Sequence, residues 1–497
     1  MAIPDLKSDI LIPSSTPRAT EYVYCPFSEL TKAVILTITA LAGMLAPLAS
    51  NIVLPALPMI GHGLETDAHQ TSLAISFFMV GMAFGPLLWG PLADTYGRRY
   101  AYALGTFACV LASIACALAT NVQWLIATRF LQALGGSVTM VVGAGTISDI
   151  YEAQRRGRAM GLYFSGQMLG PVLGTVGGGY IAQNWGWRAV FWVTSIVAGV
   201  SFILLTFVLP ETHRPTVARR FNMPLKGLPP PGPGDGLGGK MGGELVEGVP
   251  AKQALSLPSL NYRRPRVVNP FAIFRALRHP YVLLPVLCTA FFFGTFYAMK
   301  TVIPVVLTTI YGLSASQTGL CFLSIGLGNI VGSVLGGYIT DFAMNRRVRR
   351  ERTGPVNGEV LSLPIETRLQ LLLFTTVMFP ITLTAYGWLI DTHAAIPVLM
   401  VLQFFMSVAM NATFSGLSTY LVDLYTDQSA SVMSLANFFR CLNSALWTGV
   451  IELIRNAIGT GWAFTLLSSM CFIGAGLIFV LYWNGSRWRA KVTNSPP

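Results

Sequence analysis

A chain of 497 residues that is 53% hydrophobic and only 11% charged, with a net charge of +12, does not have the composition of a soluble protein; a soluble domain carries about 25% charged residues. Mean hydropathy is +0.58 and the pI is near 9.5. These figures exclude a soluble multidomain enzyme, a disordered protein and a disulfide scaffold. They leave room for about twelve apolar stretches, each long enough to cross about 30 Å of hydrocarbon.

In chain order, residues 1–32 form a polar tail of mixed charge, without the short apolar core of a signal peptide. Apolar segments follow at about 33–58, 71–93, 101–120, 123–147, 157–182 and 187–209. Helix is the expected form of each, because a segment in lipid must satisfy its own backbone groups. The first contains Pro47, Pro55 and Pro58 and is predicted to kink or break toward its far end. Residues 211–280 are a long central loop, with a Pro- and Gly-dense stretch from Leu228 to Gly243 expected to be extended or disordered. Six more apolar segments occupy about 281–309, 318–342, 368–390, 395–422, 429–455 and 461–483. The expected organisation is a tail (1–32), a six-helix bundle (33–210), the central loop (211–280), a second six-helix bundle (281–483) and a short tail (484–497). The fold class is therefore an all-α polytopic membrane protein of twelve helices in two bundles.

Of the 33 basic residues, all but Arg129, Arg188, Lys300, Arg440 and Arg455 fall in the tails or in the links on the same side as the tails. Positive charge concentrates on the cytoplasmic side of membrane proteins, so both termini are expected to be cytoplasmic. The net charge is then a sign of orientation, and no nucleic-acid partner is expected. The seven cysteines show no CxxC spacing and no histidine lies in mid-span, so neither a metal site, a disulfide framework nor a cofactor is expected.

The two halves echo one another. Gly90-Pro91-Leu92-Ala93-Asp94 closes the second span and Gly337-Tyr338-Ile339-Thr340-Asp341 closes the eighth; Asp149-Ile150-Tyr151 ends the fourth and Asp423-Leu424-Tyr425 the tenth. Paired six-span repeats in parallel orientation, with a site near midplane between them, are one arrangement of secondary transporters.

The link after span two reads Gly90-x-x-x-Asp94-x-x-Gly97-Arg98-Arg99, and the second half keeps Asp341 with Arg346 and Arg347. Span four carries Leu125-x-x-x-Arg129-x-x-Gln132-x-x-Gly135, and span five Gly157, Gly166, Gly170, Pro171 and Gly174. Together with Gly186-Trp187-Arg188 and Pro210-Glu211-Thr212, these segments resemble the major facilitator superfamily, and within it the fungal drug:proton antiporters of twelve spans. The resemblance implies that Gly90, Asp94, Gly97, Arg98, Arg99, Asp341 and Arg346 form a cytoplasmic gate. It also implies that the span-five glycines and Pro171 are an antiporter-type helix motif, and that spans one, four, seven and ten line a central cavity. Gly166, Gly170, Gly174 and Gly178 recur every four residues, which by itself predicts a smooth helix face for close packing.

Candidate substrate-binding groups are Asn51, Arg129, Gln132, Phe293, Tyr297, Lys300, Gln403, Ser407, Asn411 and Arg440. An ionisable residue inside a span is costly and points to function. Here the in-span charges near midplane are basic, so the expected substrate is anionic or neutral, such as an organic acid or secondary metabolite. Asp149 and Glu452 are the candidate proton-coupling groups. The expected function is a proton-coupled exporter working by alternating access as a monomer, at the plasma membrane or an organelle such as the vacuole, and not an enzyme. Uptake or exchange of an organic anion is the alternative; export of lipophilic cations or polyamines, and a transporter-like sensor, are the remaining readings.

Overall fold

The computed structural model describes residues 27–151, 153–212, 274, 277–352, 369–424 and 429–493. The Pro- and Gly-dense stretch of the central loop and its basic cluster lie outside the described residues. The prolines of the first span act as expected: the segment is split into α1 (Glu29–Gly43), α2 (Leu45–Asn51), a 3₁₀ turn at Leu54–Ala56 and α3 (Leu57–Gly63). Pro55 and Pro58 sit in the first two positions of the last two pieces, where the missing N–H costs nothing. Rods then run up and down: α4 (Ala68–Tyr96), α5 (Arg98–Ala117), α6 (Val122–Gly136) continued by α7 (Val138–Ile150), α8 (Ala153–Trp185) and α9 (Trp187–Ile203), which ends in a π turn at Leu204–Val208. The second half contains α10 (Pro280–Thr309), α11 (Ala315–Arg352), α12 (Leu369–Asp391), α13 (Ile396–Leu424), α14 (Ser429–Ile458) and α15 (Thr460–Thr493).

Ten of these rods are long and apolar enough to cross a membrane. Two further rods, α8 and α14, are 33 and 30 residues long. α14 packs between α10 and α4, and α8 lies against α1, α2 and α11.

Two ends differ from expectation. The sequence places a loop from about residue 343, but α11 continues as helix to Arg352, so Asp341 and Arg346 lie on a rod and not in a link. The stretch Asn345–Arg352 holds no Gly or Pro and is rich in arginine, a good helix former that carries the rod past the apolar segment. Likewise α15 runs past residue 483 to Thr493.

Because the rods alternate, the start of α1, the α4–α5 and α7–α8 links and the end of α15 share one face, here the terminal face. The links at Gly63–Ala68, Ala117–Val122 and Thr309–Ala315 share the opposite face. Contacts between the halves reach that opposite face. A Cβ on Gly319 would meet the Thr175 carbonyl at 2.7 Å, and Gly179 is packed as tightly on the Ala315 carbonyl. The Ser316 N–H donates to Gln183 Oε1 at 3.0 Å, and the Ser76 hydroxyl donates to the Ala445 carbonyl at 2.5 Å.

The smooth face of α8 faces somewhere else. Gly166, Gly170, Gly174 and Gly178 pack on the backbone of α1 and α2, where a Cβ on Gly170 would come within 2.9 Å of the Met44 carbonyl. The glycine stripe therefore seats span one within its own half. The neighbouring face, with Val172, Thr175 and Gly179, meets α11.

Candidate functional site

At the terminal face, Gly97 separates α4 from α5 with φ of 103°, a conformation that favours glycine. That sharp turn aims the first N–H groups of α5 at the Glu211 carboxylate, which accepts from Arg98 at 3.0 Å and from Arg99 at 3.2 Å. A carboxylate at a helix N-terminus satisfies orphan donors and meets the positive end of the helix. The Arg98 side chain bridges Asp94 Oδ1 at 2.7 Å and Asp149 Oδ2 at 3.0 Å, and Arg99 Nε donates to the Thr206 carbonyl at 2.6 Å. Four of the five expected gate residues in the first half, Asp94, Gly97, Arg98 and Arg99, thus converge with Asp149, one of the two expected proton carriers. Replacing Gly97 with Ala puts a Cβ against Glu211 in a strained backbone. A loss of about 1–2 kcal/mol is expected, read as a lower melting temperature of the purified protein. The side chains of Asp341 and Arg346 and the surroundings of Gly157 lie outside the described residues.

The centre of the bundle holds three cations, Arg129 and Lys300 buried and Arg440 half-buried. Arg129, on α6 two turns from the opposite face, has no exposure at all. Its Nη1 donates to the Ala49 carbonyl at 3.0 Å and to Gln132 Oε1 at 2.6 Å, and its guanidinium lies 4.1 Å from the centre of the Phe78 ring. Gln132 is held in turn by Ser113 at 2.8 Å. Nε and Nη2 of Arg129 are buried without a hydrogen-bond partner.

Lys300 is buried on α10, with Nζ 3.5 Å from Asn51 Oδ1, 4.5 Å from the Phe296 ring and 4.9 Å from the Tyr297 ring. Asn51 and Lys300 each stand four residues before a proline, Pro55 and Pro304, in the equivalent first and seventh spans. Their contact therefore joins the two spans at places that the prolines mark alike.

Arg440 of α14 donates to Asn437 Oδ1 at 2.6 Å and lies between the Phe293 and Phe414 rings at 4.5 and 4.7 Å. Phe293 in turn contacts Tyr297, with ring centres 4.7 Å apart. The aromatic run of α10 therefore divides. Phe293 and Tyr297 join the cations, Phe292 packs on Phe379 of α12, and Phe296 touches both Phe379 and Lys300.

Asn51, Lys300, Tyr297, Phe293 and Arg440 form one continuous central group, with Arg129 and Gln132 beside Ala49 on the other side of α2. Gln403 and Asn411 are differently occupied. Gln403 bonds Ser324 and Tyr386, and Asn411 bonds Asn329 at 2.6 Å, so both tie α13 to its neighbours. The Ser407 hydroxyl is buried without a partner. Phe78 and Asn437 are contacts of the cations that sequence reasoning did not single out as site residues. Asn437 stands three residues before Arg440 on the same helix, while Phe78 reaches Arg129 from a neighbouring one.

Among the described residues, no carboxylate forms an ion pair with any of these three cations. Cations over aromatic faces and amide oxygens, without fixed counter-charges, leave positive charge uncompensated at the centre.

The family model described as Major Facilitator Superfamily matches residues 39–358. Citrate exporter 1 of Aspergillus niger is 31% identical over 480 residues, covering 93% of this chain and 88% of that protein. The MFS transporter cpaT of Aspergillus oryzae is 32% identical over 453 residues, covering 90% and 85%. The efflux pump radE of Floropilus chiversii is 30% identical over 451 residues, covering 90% and 79%. Among solved structures, the xylose transporter XylE of E. coli in a partially occluded inward-open conformation superposes with a TM-score of 0.63 at 14% identity, covering 92% of this chain and 98% of that one. Ten apolar rods, a basic centre and these likenesses agree: the chain is a multi-pass membrane protein, not an enzyme, and belongs to the major facilitator superfamily of secondary-active transporters.

Proposed function

We propose that this protein exports a small organic anion, a compound with one or more carboxylates, in exchange for protons. The observation that carries the reading is Lys300, a buried cation between the halves whose polar partner is the Asn51 amide rather than an acid. An isolated buried ammonium is costly, and an anionic substrate supplies what it lacks. Arg129 and Arg440 have donors left over, including the buried Nε of each, that suit the remaining oxygens of a carboxylate. The relatives named for citrate export and for efflux support substrate class and direction.

The halves meet at the opposite face, which under this reading is the outer one, with the termini in the cytoplasm and the protein in the plasma membrane. The central group is built from one chain, so a monomer suffices. Asp149 at the inner gate and Glu452 at the outer end are the groups we assign to proton coupling.

The test is flux in liposomes containing the purified protein. Labelled tricarboxylate is expected to move against its gradient when a proton gradient is imposed, and a lipophilic cation is not. Tight binding of lipophilic cations with indifference to organic acids would overturn the substrate class. A rate that ignores the pH gradient would overturn the coupling.

A further inference from the structure

The seam between α4 and α14 is antiparallel and keeps a steady register. Asn437 Nδ2 donates to the Met82 carbonyl at 3.3 Å, Ser76 bonds the Ala445 carbonyl, and Gly449 lies against Leu73 and Ser76. One further turn toward the opposite face brings Glu452 of α14 alongside His69 of α4. The Glu452 side chain has no exposure. Its Oε2 takes Arg455, at 2.9 Å from Nε and 2.8 Å from Nη2, while its Oε1 is buried without a hydrogen-bond partner. His69 Nδ1, across the seam, is also buried without a partner. The imidazole is half-buried in the first turn of α4, so solvent at the opposite face reaches it.

The charges that act on the Glu452 carboxylate are Arg455 and His69. Other elements packed on α14 and α4 hold their charges at other levels or already engaged. Lys300 of α10 has its own contacts at Asn51, and Arg129 of α6 is bonded to Gln132 and Ala49. Asp423 of α13, Arg487, Arg489 and Lys491 of α15, Arg98 and Arg99 of α5 and Asp149 of α7 are all toward the terminal face. His62 of α3 and Glu65 and Asp67 of the α3–α4 link are exposed.

We propose that His69 and Glu452 form a proton-binding latch across this seam. A proton taken from solvent onto the imidazole gives a charge-assisted N–H⁺···⁻O contact between Nδ1 and the unused Glu452 oxygen, tying the two halves together at the opposite face. Such a contact is about twice as strong as its neutral counterpart. The contact needs the protonated imidazole, so acid at that face favours the latch and alkali releases it. The inference deepens the exporter reading and rests on its placing the opposite face outside: acid outside would close the emptied carrier and return it to load.

The experiment measures gate distance rather than transport. Spin labels at His62→Cys and Ile458→Cys, with Cys25 replaced by Ser, report the separation of the halves in purified full-length protein in lipid nanodiscs. The close-distance population is expected to grow about tenfold relative to the open one on going from pH about 8 to about 5. His69→Gln should flatten the response at the low value, Glu452→Gln should also flatten it, and His69→Lys should hold the close distance at both pH values. The latch is refuted by an unchanged pH response in His69→Gln, by a His69→Lys protein that opens at high pH, or by closure that increases with pH. Flux that ignores a pH gradient while the labels still respond would remove the antiport reading and leave the latch standing.

Discussion

Lys300→Met is expected to lose transport of the organic anion and to gain thermal stability at the same time. The ammonium sits in a buried aromatic and amide setting, with the Asn51 oxygen 3.5 Å away. Charge-assisted hydrogen bonds contribute about 1.5–3 kcal/mol, so substrate affinity should fall roughly 10- to 100-fold. Met has a similar length and no desolvation cost. Removing a buried charge in favour of a packed apolar side chain is neutral or stabilising by about 1–4 kcal/mol. Lys300→Arg keeps the charge but not the point geometry, and should fall between the two. Liposome flux and a thermal melt on the same preparations check both signs. A Met variant that transports normally, or one that melts early, would show that Lys300 serves the fold and not the substrate.

Gly319→Leu carries the second large effect. A Cβ at this position would already lie 2.7 Å from the Thr175 carbonyl and 3.3 Å from the Gly179 Cα. Both are backbone atoms that cannot rotate away. Overpacking typically costs about 1–3 kcal/mol, here charged to one conformation only. The opposite face should fail to close, and the closed state should lose roughly 10- to 100-fold in population. Transport should stop while the protein remains folded. A reporter cysteine placed at Ser50, beside Asn51, should become reactive to an impermeant maleimide applied at that face. Unchanged reactivity in a folded, inactive variant would mean that the contact is not a gate.

Much of this architecture is legible in the chain because hydropathy and proline placement are local properties. The broken first span follows from Pro55 and Pro58, and the turn at Gly97 from the spacing of Gly90, Asp94 and Arg98. The apolar windows likewise mark ten rods directly. Apolar segments at about 157–182 and 429–455 mark α8 and α14 as well. The direction of the glycine stripe is not legible at all: periodicity gives a face, and only packing says that it seats α1 and α2 while Thr175 and Gly179 meet α11. Charge inventory selects Arg129, Lys300 and Arg440, because a cation within a span stands out against its neighbours. Their partners Phe78 and Phe414 are ordinary residues until the helices are brought together. His69 escapes notice for the same reason; it lies near a link in the sequence, and the α4–α14 register alone brings it to Glu452.

The meeting of Asn51 with Lys300 has a consequence for how the halves diverged. The prolines mark these two places alike, so a chain with identical halves would set two ammonium groups a few ångströms apart in a dry interior. At 4 Å, two like charges repel by about 4 kcal/mol even at an effective dielectric of 20. The contact therefore tolerates a cation from one half only. Selection for a central positive charge obliges the two copies to differ at this position, however similar their backbones remain. The neutral amide of Asn51 leaves Lys300 the one charge at this contact.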